Sequence, residues 1–186
     1  MATICHHTIY LDGFVAGPED SMDWAFAYGE PTSLGDETMT RIGAIVAGRR
    51  WHQLAKERWD GVDGIYGGHW NGRVLVLTHR PDDDPGDPRI SFVSEGIERA
   101  VAAAQEAAGE TDVGIFGASL TQQCLDAGLL DEIVLHLAPV LLGSGVRVFG
   151  DGGAEQVELE QVSVGEADQL TDLHFRVRRA GPEWAT

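Results

Sequence analysis

The sequence predicts an α/β protein: a largely parallel sheet with helices on both faces that finishes in an antiparallel pair. Three observations predict it. Short apolar runs with the length of buried strands alternate with helical stretches through most of the chain. The last segment alternates in the two-residue period of a half-exposed strand. The 186 residues, 43% hydrophobic and 23% charged, suffice to bury a core in one domain, 1–186, with no repeat and no dividing linker.

The elements follow in order. Residues 3–10, TICHHTIY, form a strand, and Asp12-Gly13 the turn after it. Ile42–Ala47 is a buried strand that stops at Gly48, where a helix is expected to begin. Arg73–Thr78, apolar in its middle, reads as an interior strand, and PDDDPGDP (81–88) as a surface loop before the short strand Ile90–Val93. Ser94 is expected to cap a helix in which Ile97, Val101, Ala104 and Ala108 recur at helical spacing, closed by Gly109. Val113–Phe116 is a short buried strand. Ser119 and Gln122 have the spacing of a capping box, for a helix ending near Gly128. Ile133–Leu142 reads as one long strand with a bulge or edge at Pro139. Finally Leu173, Phe175 and Val177 alternate with His174, Arg176 and Arg178.

Charge narrows the function. A net charge of −17 argues against nucleic acid, whose binding relies on neutralising phosphates, and no polybasic patch suits anionic lipid. No apolar stretch approaches the ~20 residues of a membrane helix. The N-terminus lacks the pattern of a secretory signal, and Cys5 and Cys124 form no metal or redox motif, so the cytoplasm is the expected location. The positive residues are arginines except for Lys56, and arginine is the side chain whose fork matches phosphate or carboxylate. A few arginines on an acidic body suit one small anionic ligand.

Three strand ends carry the candidate chemistry: Gly48-Arg49-Arg50, Thr78-His79-Arg80 and Gly117-Ala118-Ser119, the last presenting free amides at a helix start. Asp12, at a strand end, is the candidate acid, and Trp24 a candidate wall for a flat substrate. His6 and His7 fall on opposite faces of their strand and are not expected to share a metal. Asp82-Asp83-Asp84 lacks EF-hand spacing, and Gly143-Ser144-Gly145 joins two strands and reads as a bend. There is neither a nucleophile elbow nor a zinc-deaminase motif.

YLDGFVAG (10–17), MDW (22–24), VAGRRW (46–51), VLVLTHR (74–80) and IFGASLTQQCLDAGLLDEIVLHLAPVLLGSGVRVFG (115–150) resemble the RibD C-terminal-domain family. The resemblance implies a dihydrofolate-reductase-like fold on a mostly parallel eight-stranded sheet, and a homodimer. It implies NADPH-dependent hydride transfer to a C=N or C=O of a small pyrimidine- or pterin-like substrate, as in 5-amino-6-(5-phosphoribosylamino)uracil reduction in riboflavin biosynthesis. By the family's pattern, Arg49, Arg50, Thr78, His79 and Arg80 surround the adenosine 2′-phosphate and its neighbour. Gly117, Ala118, Ser119 and Leu120 cradle the pyrophosphate, Val15 and Ala16 lie by the nicotinamide, and Thr8 lies beneath it. Without a deaminase motif, the implied protein is a reductase half standing alone. The family reads threonine where this chain has Trp51, and glycine where it has Phe116. Those changes favour a rival reading, a nucleotide-binding dimer without turnover. The carboxylates Glu30, Asp36 and Glu37 do not match the spacing of true dihydrofolate reductases.

Overall fold

The structure, a computed structural model, describes residues 1–21, 28, 32–80, 86–150 and 156–178. The chain runs β1 (Thr3–Tyr10), β2 (Phe14–Ala16), α1 (Ser33–Arg41), β3 (Ile42–Gly48), α2 (Arg49–Arg58), β4 (Arg73–Leu77) and β5 (Ile90–Val93). It continues through α3 (Ile97–Ala108), β6 (Asp112–Phe116), α4 (Ala118–Asp126), β7 (Glu132–Ala138), β8 (Val146–Arg147), β9 (Leu159–Ala167) and β10 (Leu170–Val177).

Eight strands form one sheet in the order β5-β4-β3-β6-β1-β7-β10-β9. The first six are mutually parallel, β10 runs antiparallel to β7, and β9 antiparallel to β10. The apolar runs of β3 and β4 are continuous because both their faces are covered. On one face Cys5, Val46 and Ile115 pack with Val101 of α3 and Leu120 and Cys124 of α4. On the other, Ile45, Ala47 and Val76 meet Val62, Ile65 and Trp70, with Met39 of α1 and Trp51 of α2 alongside. At the edge where the strands begin, Arg41 bridges Asp112 of β6 at 2.8 Å and Glu132 of β7 at 2.9 Å.

Several expected boundaries move. The cap of α3 is Gly96 at φ +105, a conformation that suits glycine, while the Ser94 amide donates to the Glu95 carboxylate. Ser119 and Gln122 form no capping box. The helix starts two residues earlier, with Gly117 at the cap position, Gln123 donates to the Ser119 hydroxyl and Gln122 to Asp126. β7 stops at Ala138, because Pro139 has no N–H to continue the ladder. Along β10 the polar residues Asp172 and His174 are more buried than Leu173 and Phe175, since both faces of this strand are covered.

Gly143-Ser144-Gly145 is a bend that presses β8 against β2. Gly145 has φ +142, and a Cβ there would lie 2.1 Å from the Ala16 carbonyl oxygen. Gly145→Ala should therefore destabilise the protein by about 2 kcal/mol and lower its melting temperature by roughly 5 °C. Gly165→Ala on β9 should melt near wild type in the same calorimetric scan, because its Cβ makes an ordinary 3.6 Å contact with Asp172.

Candidate functional site

Parallel pairing brings three strand ends level. Gly48 pairs with Leu77 and Ala47 with Phe116, so the segments that follow β3, β4 and β6 leave from one edge. From there α2 crosses to the Ile45 face and α4 to the Ile115 face. Connections that diverge in this way open a crevice between β3 and β6, where open α/β sheets bind ligands. Both helices start at a glycine with no side-chain cap, Gly48 and Gly117. By contrast α1 is capped by Thr32, whose hydroxyl accepts from the Gly35 amide at 2.9 Å. Uncapped first turns leave amides pointing outward as anion donors. The two starts are close, since a Cβ on Gly48 would lie 4.0 Å from Leu120.

The cationic corners meet only in part. The Arg49 guanidinium donates to the Arg80 carbonyl, joining the end of β3 to the turn after β4. Thr78 is buried, and its hydroxyl accepts from the Arg80 amide at 3.1 Å, shaping a turn on which His79 and Arg80 are exposed. Arg50 leaves this group, contrary to expectation. Its guanidinium binds Asp20 at 2.5 Å and so ties α2 to the turn Pro18–Asp20. Ala118 and Leu120 are buried, while Ser119 is exposed at the start of α4. Val15 and Ala16 are buried in β2, and Thr8 is partly exposed on β1. Trp24 lies outside the described residues. Two sets of open amides lie at this edge beside Arg49 and the exposed turn of His79 and Arg80, donors of the kind that phosphates take.

Asp12 has another task. Its Oδ2 accepts from the Gly143 amide at 2.8 Å, and Arg147 donates to its carbonyl at 2.9 Å while lying 4.4 Å over the Phe14 ring. Desolvation pushes its carboxyl pKa up. Backbone amides, Gly143 first, and the Arg147 charge outweigh that and hold it below the usual carboxylate range. Asp12 is therefore an ionised brace for the loop at 142–143, where the sequence suggested a proton donor.

A chain of polar side chains lies where sequence reasoning placed no function. Tyr66, in the 3-10 segment Gly61–Gly68, brings its hydroxyl 2.7 Å from His6 Nδ1. His6 Nε2 lies 2.7 Å from His136 Nε2, and His136 Nδ1 lies 2.6 Å from Asp172. Thr32 and Gly35 of the α1 start cover the His136 ring. His7 points to the opposite face and meets the Thr121 hydroxyl of α4 at 3.0 Å.

The sequence pattern of the RibD C-terminal domain matches residues 3–171. The chain belongs to the RibD C-terminal domain family. It is 22% identical over 174 residues to the uncharacterized protein YwjB of Bacillus subtilis (strain 168), covering 93% of this chain and 96% of that protein. A putative riboflavin biosynthesis protein from Shewanella sp. PV-4 superimposes with a TM-score of 0.80 at 23% identity, over 96% of this chain and 100% of that one. The diaminohydroxyphosphoribosylaminopyrimidine deaminase/5-amino-6-(5-phosphoribosylamino)uracil reductase of Thermotoga maritima does so at 0.64 and 14%, over 95% of this chain and 56% of its own. The fold is thus the reductase-like, dihydrofolate-reductase-like fold.

The two departures from the RibD pattern touch each other. The Trp51 and Phe116 rings meet edge to face at 5.4 Å, and Tyr66 packs on Phe116 at 5.7 Å. At the two positions where the resemblance implied a threonine and a glycine, this RibD domain builds an aromatic wall at the ends of β3 and β6. The Phe116–Gly117 peptide is trans.

The buried histidines make stability depend on pH. Burial holds His6 well below the ordinary imidazole range, with His136 and His7 adding to it, and burial lowers His7 from 6.5 to about 4. The unfolded chain then takes up protons that the folded protein refuses. Stability should be flat above about pH 7 and fall as pH drops from 6.5 towards 4, by up to about 1.4 kcal/mol per pH unit for each ring. Urea midpoints at pH 7.5 and 5 check this, and equal midpoints would contradict it.

Proposed function

We propose that this protein is a cytoplasmic NADPH-dependent reductase that acts on a C=N or C=O of a small planar substrate of pyrimidine or pterin type. The observation that carries the reading is the crevice between β3 and β6, where two uncapped helix starts meet the turn bearing Arg80. When bound, the reduced nicotinamide supplies a hydride. Amides of Ala118, Ser119 and Leu120 would hold the pyrophosphate, as a helix start holds any phosphate. Arg49, His79 and Arg80 would hold the 2′-phosphate, with the Thr78 hydroxyl fixing their turn. Val15, Ala16 and Thr8 would line the nicotinamide end. The aromatic wall of Trp51, Phe116 and Tyr66 supports a flat heterocycle as substrate. A row of exposed apolar side chains on the edge strand β9, Leu159, Val162 and Val164, supports a homodimer.

Titration by tryptophan fluorescence tests the cofactor. NADPH should bind more tightly than NADH, and Arg49→Ala should weaken NADPH by about 10- to 100-fold while leaving NADH nearly unchanged. Arg50→Ala, which breaks the contact with Asp20, should change the NADPH affinity far less. Equal binding of the two nucleotides, or an Arg50 effect as large as that of Arg49, would contradict the assignment.

A further inference from the structure

The Tyr66–His6–His136–Asp172 chain has a direction. A carboxylate only accepts hydrogen bonds, so the 2.6 Å contact with Asp172 puts a proton on His136 Nδ1. With His136 neutral its Nε2 accepts, and the proton in the 2.7 Å contact between the two rings belongs to His6 Nε2. His6 Nδ1 is left as an acceptor, which the Tyr66 hydroxyl serves at 2.7 Å. All four groups are paired with both rings neutral, in keeping with the burial that holds His6 far below the imidazole range.

The two ends differ. Asp172 and His136 are 4% and 6% exposed, whereas Tyr66 is only partly buried and packs on Phe116, the residue before the Gly117 amides. Tyr66 is held at φ +51, a left-handed conformation that a bulky residue keeps only where its surroundings impose it. Thr8 pairs with His136 in the β1–β7 register, so the middle of the chain adjoins the residue assigned to the nicotinamide floor.

The geometry points to Tyr66 as the catalytic residue that exchanges a proton with the substrate, refilled through His6, His136 and Asp172 as positioning residues. This rests on the reductase reading above. Loaded with one extra proton, the chain reverses: Asp172 O–H donates to His136 Nδ1, His136 Nε2–H to His6 Nε2, and His6 Nδ1–H to the Tyr66 oxygen. As the substrate carbon is reduced, the Tyr66 O–H bond breaks and a bond to hydrogen forms on the neighbouring nitrogen or oxygen. In the same movement Tyr66 takes the His6 Nδ1 proton, His6 Nε2 takes that of His136, and His136 Nδ1 takes that of Asp172. One proton has left, Asp172 ends as a carboxylate, and the chain regains that proton from solvent before the next turnover. Burial pushes the Tyr66 hydroxyl above its usual range, and the concerted shift lets it act because no phenolate accumulates.

Nitrogen-15 NMR of the intact, nucleotide-free protein should find His6 protonated on Nε2 and His136 on Nδ1. Tyr66→Phe should move the His6 Nδ1 signal downfield as its hydrogen bond is lost. NADPH should bind wild type and Tyr66→Phe equally by fluorescence. With a panel of pyrimidine and pterin-like C=N compounds, Tyr66→Phe should lower kcat by about 100-fold or more and abolish the solvent deuterium isotope effect, with the NADPH KM unchanged. Reversed tautomers, an unmoved Nδ1 signal, or a wild type that oxidises NADPH no faster than Tyr66→Phe with every compound would overturn the relay. Failure of wild type to bind NADPH would overturn the reductase reading and the relay with it.

Discussion

Level strand ends are the constraint on which the site depends. Parallel pairing of β3 with β4 and β6 sets Gly48, Leu77 and Phe116 within one residue of a common edge. The register is held because these strands are apolar on both faces, and a slip of one residue would exchange the side chains of the two cores. At the far edge, Arg41 clamps the starts of β6 and β7 through Asp112 and Glu132. Bringing together side chains from distant parts of the sequence is thus a property of the sheet, and the loops add only the last few donors.

On so acidic a protein, donors for an anion must be concentrated locally. The net charge is −17, and at physiological salt the field of exposed charges fades over about 8 Å, so local donors decide what an anion meets. Main-chain amides at two helix starts add positive potential without adding side chains, and the Arg49 guanidinium lies beside them on the Arg80 carbonyl. Arg50, adjacent in sequence to Arg49, neutralises Asp20 instead and so serves the scaffold.

Much of this was legible in the chain itself. Apolar runs marked β3, β4 and β6 because continuous hydrophobicity is what a strand buried on two faces requires. Glycine and arginine after such runs pointed to the crevice. Helix caps are hidden where glycine at positive φ takes the place of a hydroxyl, as at Gly96 and Gly117, since a serine nearby offers the more familiar signal. The place of Asp12 at a strand end suggests an acid, but its role comes from Gly143, 131 positions away. The His6 chain left no local signal at all, because its partners are 60 and 130 positions distant and meet only through the β1–β7–β10 pairing. Trp51 and Phe116 looked like two separate losses, and only their contact reveals one aromatic wall.

A crystal structure of the protein grown with NADPH would show which strand ends hold the nucleotide. The pyrophosphate should lie over the first turn of α4 and the 2′-phosphate between Arg49 and Arg80, with Arg50 still on Asp20. A nucleotide seated at the edge where the strands begin, or phosphates out of reach of both Arg49 and the Ala118–Leu120 amides, would contradict this placement.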